Sequence, residues 1–319
     1  MAASAVRALA GLWALYQGFR LAAFIQSHFF HKSTLDRLQT PGAQGGEDDS
    51  AWALVTGATD GIGKGFAEEL CARGFNVIIH GRNETKLEKV KSSLQTRWPK
   101  CQIRTLRMDA SREAGDADAM ARTACALQPL NLRILINNVG GSSGSISFMP
   151  LQDRTPEQIR SVLEVNVRFP TEITRALLPQ LQRNGSALIM NIGSATSELS
   201  LPYLSIYSGC KGYNQCWSRC LEAEMRAENH DVEVLCILVA AVATELSPRP
   251  LSLFVPNARQ MAGYALGKVG CGRGEIFGYW GHHLQVMMFR AMPSFMARKA
   301  VVDVGKKEKL EDEKRTASR

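Results

Sequence analysis

The sequence predicts an α/β fold built on a doubly wound parallel sheet, and three observations predict it. Short apolar runs at 51–56, 75–80, 101–107, 132–137, 186–192 and 232–238 have the length and composition of buried strands. Between them, at 62–73, 84–97, 112–127, 156–183 and 206–228, apolar residues recur at helical spacing. A glycine-rich turn joins the first strand to the first of these helices. Strand and helix in strict turn require crossover helices, hence parallel strands with helices on both faces.

Composition agrees. The 319 residues are 45% apolar and 21% charged, which suits one large globular domain with a full core and excludes a disordered chain. The chain shows no internal repeat and no low-complexity tract. The eight cysteines are scattered, none in Cys-x-x-Cys, and read as buried free thiols of a reducing compartment. Cys216 and Cys220 lie four apart, but nothing completes a metal site around them. The formal charge of +8 fits a phosphate-bearing cofactor, an acyl-CoA or an anionic membrane surface. No basic run is interleaved with aromatics, so nucleic acid is not an expected partner.

The two ends differ from the middle. In 1–32, Leu9, Leu12, Trp13, Tyr16, Phe19 and Ala23 recur at helical spacing, with Arg20 interrupting the apolar stretch. A charge there disfavours deep insertion, by roughly 2.5–3.5 kcal/mol at a bilayer centre. The expectation is a membrane-associated helix, either lying in the interface or a short spanning anchor; a cleaved signal peptide and an extra helix packed on the domain are the alternatives. Residues 33–50 follow as a linker, by composition clearest over 39–50. The domain is then expected over 51–283. Past 240, three prolines mark a loop at 244–258, a short helix follows at 257–268, and Glu275 to Trp280 reads as a last strand. The stretch 284–319 reads as an apolar, Met-rich segment broken at Pro293, then a charged tail expected to lack order from Gly305.

Two groups of residues carry chemistry. In Thr56-Gly57-Ala58-Thr59-Asp60-Gly61-Ile62-Gly63, glycines allow a tight turn and close backbone approach to a pyrophosphate, which the free N–H groups of the following helix then face. The next strand ends Ile79-His80-Gly81-Arg82-Asn83. A carboxylate there would bind the ribose hydroxyls of NAD; Arg82 instead matches a 2′-phosphate in charge and fork geometry, which points to NADP(H). The second group is Tyr207 and Lys211, four apart and therefore on one helix face. An ammonium beside a phenol favours its ionised form, so the phenol can exchange a proton with a reacting oxygen. Tyr203 is a competing phenol, poorly placed relative to Lys211.

In order along the chain, the glycine turn, Asn166 in Val165-Asn166-Val167, Ser194 after the run 187–192, and Tyr207-Ser208-Gly209-Cys210-Lys211 resemble the short-chain dehydrogenase/reductase family. The resemblance implies a Rossmann-like single domain and hydride transfer at a carbonyl or alcohol carbon. It implies roles as follows. Tyr207 is the general acid/base. Lys211 holds the cofactor ribose and stabilises the tyrosinate. Ser194 orients the carbonyl oxygen, and Asn166 holds a water of the proton relay. Gly57, Thr59, Asp60, Gly61, Ile62, Gly63 and Arg82 bind cofactor. Asp109 approaches the adenine, and Asn138 and Gly140 of Asn137-Asn138-Val139-Gly140 line the pocket. Val242 and Thr244 lie at the nicotinamide, although Val239-Ala240 stands where members carry Pro-Gly. Further stretches, among them Arg73-Gly74-Phe75-Asn76-Val77-Ile78 and Gly278-Tyr279-Trp280, are similar to the subgroup of very-long-chain 3-oxoacyl-CoA reductases and 17-beta-hydroxysteroid dehydrogenases. That subgroup implies a bulky apolar small-molecule substrate and a place at the endoplasmic reticulum membrane with the catalytic domain facing the cytosol; assembly as a homodimer stays open. A tailoring reductase of a specialised small-molecule pathway is the alternative, and a non-catalytic family member a further one.

Overall fold

The computed structural model describes residues 2–39, 50–141 and 148–317. Seven strands form one parallel sheet in the order β3-β2-β1-β4-β5-β6-β7. They are β1 (Trp52–Val55), β2 (Asn76–Gly81), β3 (Ile103–Arg107), β4 (Leu132–Asn137), β5 (Ala187–Ile192), β6 (Val232–Leu238) and β7 (Glu275–Phe277). The helices are α1 (Ala2–Ile25), α2 (Gly61–Ala72), α3 (Glu84–Arg97), α4 (Ala117–Leu127), α5 (Pro156–Leu163), α6 (Phe169–Arg183), α7 (Thr196–Leu199), α8 (Ser205–Ala227), α9 (Ala258–Leu266), α10 (Trp280–Ala291) and α11 (Ser294–Ala317).

The strands are buried on both faces, and alternate residues serve opposite layers. Ala53, Val55, Val77, Ile79, Ile134 and Ile136 pack with Phe66 and Leu70 of α2, Leu87 of α3 and Met261 of α9. Leu54, Ile78, Leu135, Ile189 and Val234 pack with Met120 of α4, Ile173 and Leu177 of α6, and Leu221 of α8. Side-chain caps set several helix starts. Asn83 accepts from Lys86 N–H at 2.9 Å. Asp116 accepts from Ala119 N–H at 2.9 Å, so α4 begins at 117 and not at 112 as the periodicity predicts. The strand order reverses between β1 and β4, and in such sheets ligands bind outside the carboxyl ends of the strands at that switch.

Four expectations are corrected. The long helix predicted at 156–183 is α5 and α6 joined by a π-helical turn at 164–168. Residues 35–39, inside the predicted linker, form a 3₁₀ turn whose Leu35 and Leu38 enter the core beside Leu70 and Leu266. Burying a leucine contributes roughly 1.5–3 kcal/mol, which composition alone does not reveal. Positions 40–49 of that linker lie outside the described residues. The tail expected to lack order is α11, continuous to Ala317, because one stripe of it has partners on the domain. Of the eight free cysteines, Cys71, Cys101, Cys210 and Cys236 are buried, while Cys125, Cys216 and Cys220 lie on outward faces of α4 and α8.

The N-terminal segment docks from Phe24 onward. His28 Nε2 and His283 Nδ1 share a hydrogen bond at 2.9 Å, Lys268 Nζ donates to Ser27 O at 2.7 Å, and Ser33 Oγ donates to Leu266 O at 2.8 Å. Burial lowers the pKa of His28 to about 3 and of His283 to about 4. Before that point α1 exposes Leu9, Leu12, Trp13, Leu15, Tyr16 and Phe19. Among the described residues no helix is long and apolar enough to cross a membrane.

Candidate active site

At the switch point the turn after β1 meets the turn after β4. Gly57 and Gly61 have φ of 64° and 52°, a conformation that favours glycine. Gly63 allows the first turn of α2 to touch the strand end: a Cβ there would stand 2.2 Å from Gly57 O and 2.5 Å from Asn138 Nδ2. Asp60 caps α2, accepting from Gly61 N–H at 2.5 Å, with Ile62 half-buried behind it. Asn138 is bound on both sides, donating to Thr56 O at 2.9 Å and, through its backbone, to Thr56 Oγ1 at 2.9 Å.

A buried histidine that the motif reading did not single out braces this turn. His80 Nδ1 accepts from Gly57 N–H at 3.1 Å, and His80 O accepts from Ala58 N–H at 2.9 Å. Its ring stacks on Phe169, at 5.1 Å between centroids. Burial pushes its pKa down to about 4, against the opposing pull of the Met108 backbone and the Asp109 carboxylate. Accepting from an amide requires a bare Nδ1, so the hydrogen bond and the burial both call for the neutral ring.

One step further, Thr59 packs on Gly81, where a Cβ would lie 2.7 Å from Thr59 Cγ2. Arg82 follows, exposed, and borders a hollow of about 630 Å³ with Asn83, Arg107, Asp109, Arg112 and Glu113. Asp109 is held below the usual carboxylate range: hydrogen bonds from Ser111 and the nearby Arg82 and Arg112 outweigh its desolvation. Arg107 also reaches Glu84 at 3.9 Å, so Arg82 and Arg112 are the guanidinium groups set beside the Asp109 carboxylate, and in charge and fork geometry they fit the 2′-phosphate of NADP(H).

On the other side of the switch, Gly140, Asn166 and Lys211 converge. A Cβ on Gly140 would stand 2.8 Å from Asn166 Oδ1 and 3.2 Å from Lys211 Nζ. Lys211 is buried, donates to Ile192 O at 2.7 Å, and passes over the Tyr207 ring with Nζ 5.6 Å from its centroid. Thus the four-residue spacing on α8 sets the ammonium over the phenol ring, with Nζ at the carboxyl end of β5. Asn166 sits in the π turn, where the helical pattern slips and leaves a carbonyl for other donors. Its Nδ2 donates to Val162 O at 2.9 Å and Gly141 O at 2.7 Å, and its Oδ1 accepts from Gly141 N–H at 3.1 Å. The amide group therefore pins the 140–141 turn, with one Oδ1 lone pair left over.

Ser194 follows β5 and is buried. Its Oγ accepts from Thr196 N–H at 3.2 Å and from Thr196 Oγ1 at 3.0 Å. With its lone pairs so engaged, the hydroxyl proton is left to donate to an oxygen in the cleft. Thr196 carries no signal of its own in the sequence. Tyr203 lies elsewhere, its ring 5.4 Å from Lys309 Nζ.

The departure at Val239-Ala240 is compensated from α10. Ala240 N–H donates to His282 Nδ1 at 3.2 Å, and His282 Nε2 lies 2.9 Å from Ala241 O. This ring, too, is fully buried and held near pKa 4 by desolvation. Beyond it Val242 is buried, and Thr244 rests against Gly61, its Cγ2 3.3 Å from where a Cβ would be. The predicted cofactor and catalytic positions therefore follow the carboxyl ends of β1 to β6, all on one edge of the parallel sheet. Among the described residues no group of three or more His, Cys, Asp or Glu stands together as a metal site.

A parallel sheet of this order with such residues along that edge defines a dinucleotide-dependent oxidoreductase fold. The short chain dehydrogenase family model matches residues 51–250, and the chain belongs to that family. It is 34% identical over 284 residues to the very-long-chain 3-oxoacyl-CoA reductase of Neurospora crassa, covering 86% of this chain and 82% of that one. It is 30% identical over 300 residues to putative steroid dehydrogenase 2 of Caenorhabditis elegans, covering 94% and 91%. Among solved structures, a 7beta-hydroxysteroid dehydrogenase superposes with a TM-score of 0.68 at 21% identity, over 79% of this chain and 95% of that one. A short-chain dehydrogenase from Sphingobium yanoikuyae in complex with NADPH gives 0.61 at 23% identity, over 76% and 97%.

Proposed function

We propose that the protein is an NADPH-dependent ketoreductase acting on a bulky apolar carbonyl substrate of the 3-oxoacyl-CoA type. The observation that carries the reading is the convergence of Gly140, Asn166 and Lys211 beside Tyr207, next to the glycine turn. When bound, NADPH supplies the hydride that reduces the carbonyl carbon. The chain's own residues do the rest. Ser194 donates its free hydroxyl proton to the substrate oxygen as a hydrogen bond and orients it. Tyr207 gives its phenolic proton to that oxygen as charge develops there, and Lys211 lies where its ammonium stabilises the phenolate left behind. Asn166 holds the 140–141 turn and keeps one lone pair toward the relay. Arg82, aided by Arg112, binds the 2′-phosphate. The relatives' names support the acyl-CoA substrate class.

Full-length protein with NADPH is to be assayed against a long-chain 3-oxoacyl-CoA, steroid ketones and aromatic ketones. Preferential turnover of the acyl-CoA supports the reading. Preference for an aromatic ketone would move the protein to the specialised-pathway alternative. No turnover of any carbonyl, with NADPH bound, would favour a non-catalytic role.

The exposed apolar residues of α1 support a second part of the proposal, that α1 lies in a membrane interface, at the endoplasmic reticulum if the acyl-CoA reading holds. Because Phe24 to Leu38 is docked on the domain, the informative truncation starts at Leu21. It should leave the membrane pellet while NADPH binding persists; a truncated form that still pellets would move the anchor to another surface. Assembly as a homodimer belongs to the same proposal and is read by sedimentation.

A further inference from the structure

The segments that leave the carboxyl ends of β4, β5 and β6 have a common partner in the last helix of the chain. From the β4 side, Phe148 N–H donates to Asp312 Oδ2 at 3.1 Å. From the β5 side, Pro202 lies against Gly305, where a Cβ would stand 2.3 Å from its ring, and the Tyr203 ring lies under Lys309. From the β6 side, Arg249 Nη1 and Nη2 meet both oxygens of Glu308 at 2.8 and 2.6 Å, and Arg315 reaches Ser247 Oγ at 3.4 Å. Residues 305, 308, 309, 312 and 315 fall on one stripe of α11, so a single helix face makes all these contacts.

The contacts continue inward. Ser247 N–H donates to Thr244 Oγ1 at 3.0 Å and Thr244 N–H to Ser247 O at 3.2 Å, and Thr244 rests on Gly61 of the cofactor turn. Arg249 stands between Pro248 and Pro250, so its neighbours have no N–H to donate to a sheet or helix. Its place is then set by Glu308 and Ser247 Oγ. The ion pair is bidentate and half-buried, which holds Glu308 below and Arg249 above their ordinary ranges. The β5 segment is strained as well: Tyr203 has φ of 68°, unusual for a bulky residue, and its carbonyl accepts from Met149 N–H at 3.2 Å.

We propose that α11 is a structural wall of the substrate site, and that Arg249 and Glu308 are positioning residues that hold the 244–250 loop closed beside the cofactor turn. Through Ser247 they place Thr244; through the same loop they shape the space left for the substrate. The direction of the substrate effect rests on the ketoreductase reading, whereas loop closure does not.

Arg249→Ala, Glu308→Ala, the exchange Arg249→Glu with Glu308→Arg, and Lys307→Ala as an outward-facing control are to be compared in the full chain. Three quantities are read: NADPH affinity by fluorescence, hydrogen exchange of 244–254, and kinetics with a long-chain 3-oxoacyl-CoA. Each single variant should speed exchange in 244–254 and raise the KM for the acyl-CoA about tenfold, the effect of losing one charge-assisted contact, with kcat changed less than about threefold. The charge exchange should recover most of the loss. NADPH affinity should weaken less than the acyl-CoA KM, because Thr244 is displaced without being removed. Unchanged exchange in 244–254 in both single variants overturns the proposal, and so does an exchange variant that behaves like the sum of the two. Should no carbonyl be turned over, hydrogen exchange and NADPH binding still decide it, so its failure stays separate from that of the ketoreductase reading.

Discussion

Around the junction of β1 and β4, the cleft is shaped by backbone groups, glycines and a buried neutral histidine, all close to a strand end. The neighbouring loop at 244–250, which meets the turn through Thr244 and Gly61, is held by an ion pair to the last helix of the chain. Gly57, Gly63, Asn138 and His80 form a region where a single added methyl has nowhere to go. Arg249, Ser247 and Glu308 form one held by charge, with Arg249 and Glu308 both partly in solvent. The contrast separates what must be rigid from what must admit a guest. A phosphate-bearing cofactor needs preorganised amides, and a bulky substrate needs a wall that can give way.

The largest effect expected on this contrast comes from the chemistry that both regions serve. Tyr207→Phe removes one hydroxyl and keeps the ring under Lys211. Turnover should fall by about 10²–10⁴ while NADPH binding survives. Tyr203→Phe keeps the ring beneath Lys309 and should retain most of the turnover; the reverse pattern would assign the proton to the wrong phenol.

The rigid side is broken next. Gly63→Ala brings a Cβ onto Gly57 O and Asn138 Nδ2 and should abolish measurable NADPH binding while the protein still folds with its α11 wall intact. Retained affinity would mean that the turn yields to an added methyl and is not the rigid region described. Arg82→Ala is milder. Losing one charge-assisted hydrogen bond, about 1.5–3 kcal/mol, should weaken NADPH roughly 10–100-fold and leave NADH nearly unchanged. A smaller loss would show that Arg112 shares the phosphate more evenly.

The smallest effect sharpens the comparison through pH. His80 and His282 are bases whose folded pKa values, about 4, lie below the ordinary 6.5. The unfolded chain therefore takes up protons first. The stability these rings contribute is complete above about pH 6.5 and is lost as pH falls toward 4. Thermal melting should record that slope, while the NADPH affinity of the folded protein should hold until pH approaches 4, where the folded rings themselves take up protons. His80→Asn offers an oxygen near the place of Nδ1 and does not titrate, so it should flatten the slope by one proton while keeping the cofactor. An unchanged slope would remove His80 from this account.

What could be read without coordinates was local in the chain. Glycines at 57, 61 and 63 announce a turn because backbone conformation is a property of the residue itself. Tyr207 and Lys211 announce a shared face because the helix repeats every 3.6 residues. The alternation of apolar runs announces parallel strands for the same kind of reason, and the strand positions agree with the sheet to within a few residues. The tertiary structure alone decided the rest. Nothing near His80 or His282 in sequence says that their rings accept amides from Gly57 and Ala240, and nothing beside Asn166 says that a π turn directs it to Gly141. The charged tail has the composition of a solvated segment, and it is ordered because Glu308 and Asp312 find Arg249 and Phe148 across the fold. Short-range geometry is written in residue type and spacing. A hydrogen bond or ion pair between distant residues exists only once the sheet has brought them together, and that placement is a property of the packed whole.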